Sequence, residues 1–492
     1  MQFQAFESPH VQHNSCPASP RKTMHSVDTR LNALDPHFSW FYGRVLLLIG
    51  VTWAIQAAEL VLLIFTRTLI FNDFTMGERV LEVCNASIFM GAMVGGPIFG
   101  HVADCFGRRI ALIIAMVCSL GGLAVSARAN AGNILIVGRI ITGLGFGGQL
   151  TSTVVLIQEL SPHSMCGRMI SLLDAFTGIG GLFGVLLAFA VAPWLEWRTT
   201  YFVVCGLVLY APVVWFAVPE SPRWLASVGR TEEAFSVVEK IERLHGLQPF
   251  SDDIQKEQLA FTSALESPSS VAESSRAKRL VPTLVLWVLW IAMTLSSYGL
   301  GIYVPTLISF SGYNMFASWS TVCVLNIAQV AGSLAAAVVV DTYGPHRCFA
   351  VFAAFTAGFS IVLSYVTWSR AVVIVITFLV TALLSSCWSC VFAYTSENYS
   401  TTHRSRGVGY AVGVSRLAGV GASYLYPHMY NVWILSVPVM CWIFGGVLTV
   451  VGVGVVPRFG YQPVSQNDDI QSNTWTSTGD IEPGANSSAV ED

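Results

Sequence analysis

The chain has 492 residues, of which 53% are hydrophobic and only 11% charged, and its formal net charge is −3. Water-soluble chains carry about 25% charged residues, so a soluble surface of this size is excluded. The near-neutral balance also excludes an electrostatic nucleic-acid partner. The first forty residues are polar, rich in Pro, Ser and His, with no secretory signal pattern. They are read as an N-terminal tail, 1–42. About twenty apolar residues cross a bilayer, and runs of that kind fall at 43–66, 82–102, 109–127, 134–158, 168–192 and 200–218. A polar stretch, 219–280, follows. Within it Thr231 to His245 is amphipathic: Thr231 is the expected N-cap, Glu232 and Glu233 favour the first turn, and Ala234, Val237, Val238 and Ile241 share a face. Six further runs follow at 281–304, 318–340, 348–367, 371–394, 407–429 and 432–455. The tail 457–492 is rich in Ser, Asn, Asp and Gly, a composition that does not pack a core.

The expected fold is therefore an all-α integral membrane bundle of twelve transmembrane helices, with halves at 43–218 and 281–456. Lys and Arg concentrate in the loops on one side; the other side holds only Arg67, Arg79, Arg128, Arg198 and Arg370. The positive-inside rule then places both termini in the cytosol, and the plasma membrane is the expected location. The sequon Asn398-Tyr399-Ser400 falls on the cytosolic side and is expected to stay unglycosylated. The eleven cysteines are scattered singly, apart from Cys387 and Cys390, which sit inside an apolar run as small packing residues.

The two sets of six share a register. Asp104-x-x-Gly107 recurs as Asp341-x-x-Gly344, Glu159 recurs as Glu397 before Arg168 and Arg406 respectively, and Pro219 recurs as Pro457, all at a near-constant offset. Two homologous six-helix halves follow, and repeat-built carriers of this design place the substrate between the halves near the midplane.

Between the second and third spans stands Gly100-His-Val-Ala-Asp104-Cys-Phe-Gly107-Arg108-Arg109. Gly100 permits close helix approach, and Asp104 can accept from a helix N-terminus or pair with an arginine. On this loop the sequence resembles the major facilitator superfamily over nearly all of 43–457, and the resemblance implies a gate that stabilises the outward-facing state. The second copy is degraded, with Pro345 and His346 where the arginine pair would begin. Arg139-x-x-x-Gly143-x-Gly145-x-Gly147 resembles the family's fourth-helix pattern, and Pro219-Glu220-Ser-Pro-Arg223-Trp-Leu resembles the segment after the sixth helix in sugar porters, organic ion transporters and synaptic-vesicle-glycoprotein-like carriers. Trp53-Ala-Ile-Gln56-Ala-Ala-Glu59, Ser297-Tyr298-Gly-Leu300 and Ser415-Arg416-Leu-Ala-Gly419 resemble the latter two groups. Gln56 replaces their acid, and the loop after the first span is short.

Charges inside the membrane usually line a pathway. At 1.5 Å per residue, Arg139 lies roughly 8 Å from the outer face and Glu59 about 9 Å, so the two can pair, either as a fixed ion pair or as a proton-linked, breakable one. Arg416 lies roughly 14 Å deep, near the midplane. It suits a carboxylate or other anion, or serves as a structural arginine, with Asp174 as its possible partner. The expected substrate-binding residues are Arg416, Trp53, Tyr298, Tyr303 and Tyr424, with Trp388 among the pathway aromatics. The expected proton-coupling residues are Glu59, Arg139 and Asp174. The expected cytosolic gate comprises Gly100, Asp104, Gly107, Arg108, Arg109, Glu159, Arg168, Glu220, Arg223, Asp341, Glu397 and Arg406.

With no nucleophile–base pair, metal-ligand cluster or phosphate loop, no enzyme and no cofactor is expected, the proton being the coupling ion. The reading is a proton-coupled carrier of a small organic ion, preferably an anion, that works as a monomer by alternating access. A sugar carrier and a nutrient sensor that binds without turnover remain open.

Overall fold

The structure is a computed structural model that describes residues 20–34, 39–74, 78–190, 192–245, 275–300, 319–365, 370–431 and 437–455. Helices and short connections make up all of them. Lipid offers no partner to a free N–H or C=O, and a helix satisfies both within one segment.

A short helix α1 (Pro20–Asn32) precedes the first spanning helix α2 (Trp40–Phe74). There follow α3 (Glu78–Phe106), α4 (Arg108–Ala127), α5 (Gly132–Leu160) and α6 (Cys166–Ala190). The sixth span is α7 (Ala192–Cys205), a 3-10 stretch Gly206–Tyr210 and α8 (Ala211–Ala217); Pro212 accounts for the break, since it has no N–H to continue the ladder. Two short helices, α9 (Pro222–Ser227) and α10 (Thr231–Leu244), lead out of the first half. The second half holds α11 (Ser275–Tyr298), α12 (Trp319–Tyr343), α13 (Pro345–Tyr365), α14 (Arg370–Glu397), α15 (Arg404–Asn431) and α16 (Val437–Thr449). Among the described residues nine helices are long and apolar enough to cross a membrane, and the apolar helices Pro282–Tyr298 and Val439–Gly452 are shorter. Together with α15 they fit the expected twelve spans.

The halves meet where α3 packs on α15 and α6 packs on α12. Small residues make this possible. A Cβ added to Gly100 would lie 2.6 Å from the Ser405 carbonyl oxygen, so any side chain there would push the two halves apart.

Two local expectations change. Thr231 is the first helical residue of α10 rather than its cap: Arg230 occupies the N-cap position and no side chain caps the helix. The N-terminal tail is also not featureless. Along α1, Val27 and Leu31 are fully buried, with Leu34 just beyond the helix on the same face, so the segment packs as an amphipathic helix against α9 and α10.

Candidate functional site

Charged residues gather at one end of the bundle, called here the gate end. The chain turns between α3 and α4 at Gly107, whose φ of 110° is closed to most side chains. That turn frees the first N–H groups of α4, and the Glu220 carboxylate accepts from the backbone N–H of Arg108 at 3.0 Å and of Arg109 at 3.2 Å. Glu220 thereby caps a helix with no cap of its own. Burial pushes its carboxyl above the usual range, and the backbone N–H groups of Ser221 and Arg109 pull it back. Arg109 does the converse for α8, donating to the carbonyls of Trp215 and Val218.

Arg108 is fully buried. Its guanidinium grips the Glu159 carboxylate through two bonds of 2.9 and 3.1 Å and donates to the Ala103 and Thr401 carbonyls. Glu159 also accepts from Arg404 at 3.2 Å and from Ser221 at 2.6 Å. One carboxylate thus holds two arginines, Arg108 from the first half and Arg404 from the second. Asp104 reaches across as well. It lies 3.3 Å from the Arg108 guanidinium on its own side and 3.3 Å from that of Arg406 on the other, and accepts from the Arg406 backbone N–H at 3.2 Å. Asp341 mirrors it, accepting from the Arg168 backbone N–H at 3.1 Å, with the Arg168 side chain at 3.8 Å. Arg223 donates to the Gln158 and Ser161 carbonyls at the end of α5 and to Asp28 of α1. Glu397 makes no ion pair among the described residues, unlike its repeat mate Glu159. The contacts between halves close the bundle at this end.

A cavity of about 190 Å³ lies between the halves, deeper in the bundle. α2, α5 and α6 contribute Trp53, Gln56, Ala57, Leu60, Phe146, Leu150, Asp174 and Thr177; α11, α14 and α15 contribute Ser297, Tyr298, Trp388, Phe392 and Arg416. The wall is mainly apolar, with five aromatic rings among its residues. Trp53 meets Phe392 edge-on at 5.5 Å, and Trp388 stacks on Phe392 at 5.5 Å. Arg416 lies 5.3 Å over the Phe146 ring and borders the cavity beside Tyr298. Most other polar groups of the wall are committed: the Trp53 N–H to Thr177, the Gln56 amide to the Phe146 carbonyl and the Trp388 N–H to Ser297.

Three expectations about single residues need correction. Glu59 and Arg139 are both fully buried but make no ion pair. Glu59 accepts from Ser119 instead, and the three guanidinium nitrogens of Arg139 find no hydrogen-bond partner. The Arg139 charge still acts on Glu59, but the two side chains do not reach ion-pair distance. Asp174 does not pair with Arg416, although both line the cavity; four hydroxyls surround its carboxylate. Tyr424 is 44% exposed and does not line the cavity. It lies eight residues past Arg416, which turns it about 80° away on the helix. Tyr303 lies outside the described residues. The serines around Asp174 were missed; the spacing of Ser385 and Ser389, one helical turn apart, was the available signal.

The bundle, its two-half packing and the inter-half cavity define a membrane transporter. Residues 63–459 match the family described as sugar (and other) transporter. The niacin transporter NiaP of Acinetobacter baylyi is 31% identical over 402 residues, covering 79% of this chain and 87% of that protein. The synaptic vesicle 2-related protein of Xenopus laevis is 24% identical over 428 residues, covering 82% and 75%. Among solved structures, the proton:xylose symporter XylE, bound to 6-bromo-6-deoxy-D-glucose, superposes with a TM-score of 0.70 at 18% identity, covering 88% of this chain and 99% of that one. The chain belongs to the sugar (and other) transporter family of the major facilitator superfamily, in the branch shared by synaptic-vesicle-2-related proteins and sugar porters. It is a multi-pass membrane transporter and not an enzyme.

Proposed function

We propose that the transporter carries a small aromatic carboxylate by alternating access, driven by protons, with the gate end facing the cytosol of a cell bounded by its plasma membrane. The observation that carries this reading is Arg416, a buried guanidinium in a mainly apolar cavity that five aromatic rings help to line. Burial of a permanent cation is costly unless an anion offsets it, and flat aromatic walls suit a ring. A relative named for niacin transport supports the same chemistry, a ring bearing a carboxylate. A sugar needs many donors and acceptors for its hydroxyls, yet the amide N–H of Gln56 and both indole N–H groups of the wall are already bonded within the protein.

The test is uptake into proteoliposomes containing the full chain. Radiolabelled nicotinate is expected to accumulate against its gradient when the outside is acidic, and nicotinamide, which lacks the charge, and arabinose are not. Arg416→Ala is expected to lower binding by at least tenfold, and Arg416→Lys to restore it only partly, because an ammonium cannot reproduce a bidentate fork. Normal uptake by Arg416→Ala, or preference for a neutral sugar, would overturn the reading. Binding without accumulation would mark a sensor. A cysteine at Thr231 is expected to label only from the cytosolic side; labelling from outside alone would reverse the orientation.

A further inference from the structure

The structure assigns proton coupling to Asp174, held in a cage of hydroxyls that spans the two halves. This rests on the reading above that uptake is proton-driven, and it names the residue that links proton, cavity and domain movement.

Asp174 is 5% exposed. One carboxylate oxygen accepts from Ser333 at 2.8 Å and Ser389 at 2.9 Å, with Ser385 at 3.4 Å; the other accepts from Thr177 at 3.3 Å. It makes no ion pair among the described residues. This partner set differs in kind from a salt bridge. A guanidinium only donates, so it satisfies the ionised acid and leaves the neutral acid mismatched. A hydroxyl both donates and accepts. Ser333 and Ser385, 2.8 Å apart, can turn to accept a proton from the neutral acid or donate to the ionised one. The cage can therefore hold the residue in either state.

Its position matters equally. Thr177 and Asp174 are on α6 of the first half, whereas Ser333 is on α12 and Ser385 and Ser389 are on α14 of the second. The α6–α12 contact is one of the two surfaces along which the halves must move. The same carboxylate borders the cavity with Arg416, and Thr177 links it to the indole of Trp53 at 2.7 Å. An anion seated at Arg416 and an ionised Asp174 would repel across one low-dielectric space, so the anion is loaded together with a proton. The neutral acid holds the serines less tightly, and the interface is then free to rearrange. Glu59 lacks both connections: its hydrogen-bond partner Ser119 belongs to the same half, and it does not line the cavity.

The other titratable groups around Asp174 are few. Cys390 faces it from α14, and Tyr298 and Arg416 border the cavity on α11 and α15. The charges of α6 and α12 apart from Asp174, Arg168 and Asp341, meet each other at the gate end. On α2 the buried carboxylate is Glu59, and on α5 the charged groups are Arg139 and the gate residue Glu159.

The experiment compares wild type, Asp174→Asn and Glu59→Gln in two assays. In proteoliposomes, Asp174→Asn is expected to lose pH-driven nicotinate accumulation at least tenfold more than it loses nicotinate counterflow, and Glu59→Gln to lose neither selectively. The second assay contains no substrate: tryptophan fluorescence of the purified full chain is titrated with pH. A transition in wild type and Glu59→Gln that is absent from Asp174→Asn supports the assignment. Since each hydroxyl tunes the acid, Ser333→Ala with Ser389→Ala is expected to displace the midpoint by about one pH unit. That double variant also keeps the test open if Asp174→Asn does not fold. Persistence of the transition in Asp174→Asn, an unmoved midpoint in the serine variant, or accumulation by Asp174→Asn in step with its counterflow would overturn the assignment. Failure of wild type to take up nicotinate, with the fluorescence result intact, would fault the substrate reading and leave Asp174 as the proton site.

Discussion

Asp104 and Asp341 occupy matching places in the two halves, and each accepts a backbone N–H from the first turn of a helix in the opposite half: Asp104 from Arg406 of α15, Asp341 from Arg168 of α6. A carboxylate at a helix N-terminus satisfies donors the helix cannot satisfy itself and meets the positive end of its dipole. Beyond that shared contact the two copies diverge. In the first half, Arg108 and Glu159 are both fully buried and Arg404 joins them. In the second half, the loop carries Pro345 and His346 in place of an arginine pair, Glu397 has no ion pair among the described residues, and the Arg168 side chain is 42% exposed at 3.8 Å from Asp341. The backbone caps are thus the symmetric part of the gate and the buried ion pairs the asymmetric part. Of the two glutamates, Glu159 is tied to an arginine of the opposite half, and Glu397 makes no ion pair among the described residues.

The sharpest way to break this contrast is to treat the two glutamates alike. Glu159→Gln leaves two buried guanidiniums without their shared anion, and losing one partner of a buried pair costs about 3 kcal/mol or more. Glu397→Gln removes no ion pair and is expected to cost under about 1 kcal/mol. Thermal unfolding followed by size-exclusion chromatography would separate the two, with a large drop for the first and little change for the second. Equal drops would show that the second half bears comparable load.

A smaller effect is expected from the N-terminal helix. α1 reaches the gate through Asp28, 2.7 Å from Arg223, and through Arg30, which makes two bonds of 2.9 and 2.6 Å to Glu242 of α10. Arg223 in turn holds the carbonyls at the end of α5 beside Glu159. Arg30→Ala leaves Glu242 buried without its fork and is expected to cost about 2 kcal/mol. Added to Asp28→Asn, it should speed labelling of a cysteine placed at Leu150 in the cavity, from the gate side, by severalfold in a background with reactive native cysteines replaced. An unchanged rate would make α1 a passenger on the gate rather than part of it.

The sequence made the charge cluster at this end legible because its residues sit at span ends, where charge is permitted and spacing repeats. Glu159 and Glu397 were found by register alone. Their inequality was not, since the two arginines around the one and the lack of an ion pair at the other, among the described residues, arise from packing. The pairing expected for Glu59 and Arg139 fails for a related reason. Distance along a helix fixes depth, which is one coordinate of three, and Ser119 stood nearer. Tyr424 was placed on the correct helix but at the wrong angle. The serine cage was hidden because serines are common in membrane helices, and only tertiary contact shows Ser333 and Ser389 meeting Asp174. α1 is hard to read from sequence because its partners Arg223 and Glu242 are far away along the chain, while its apolar face is short: Met24, Val27, Leu31 and Leu34.

The smallest effects are expected at the two aspartates, and salt distinguishes them. The Asp104 side chain is 1% exposed and faces Arg108, which is fully buried, as well as Arg406, whose side chain is 36% exposed. Asp341, itself 13% exposed, faces a single arginine side chain that is 42% exposed. Exposed pairs contribute about 1 kcal/mol or less, and at 1 M ionic strength the screening length falls to about 3 Å. Asp104→Asn is therefore expected to open the gate end severalfold at low and at high salt alike, because its buried contacts are poorly screened. Asp341→Asn is expected to open it at most about twofold in dilute buffer, an effect that shrinks toward nothing in 1 M salt as the exposed Arg168 arm is screened in wild type too. Gate-side labelling of the Leu150 cysteine at the two ionic strengths reads both variants. If Asp341→Asn opens the gate as far as Asp104→Asn, and as independently of salt, the shared backbone caps rather than the first-half ion pairs keep this end closed.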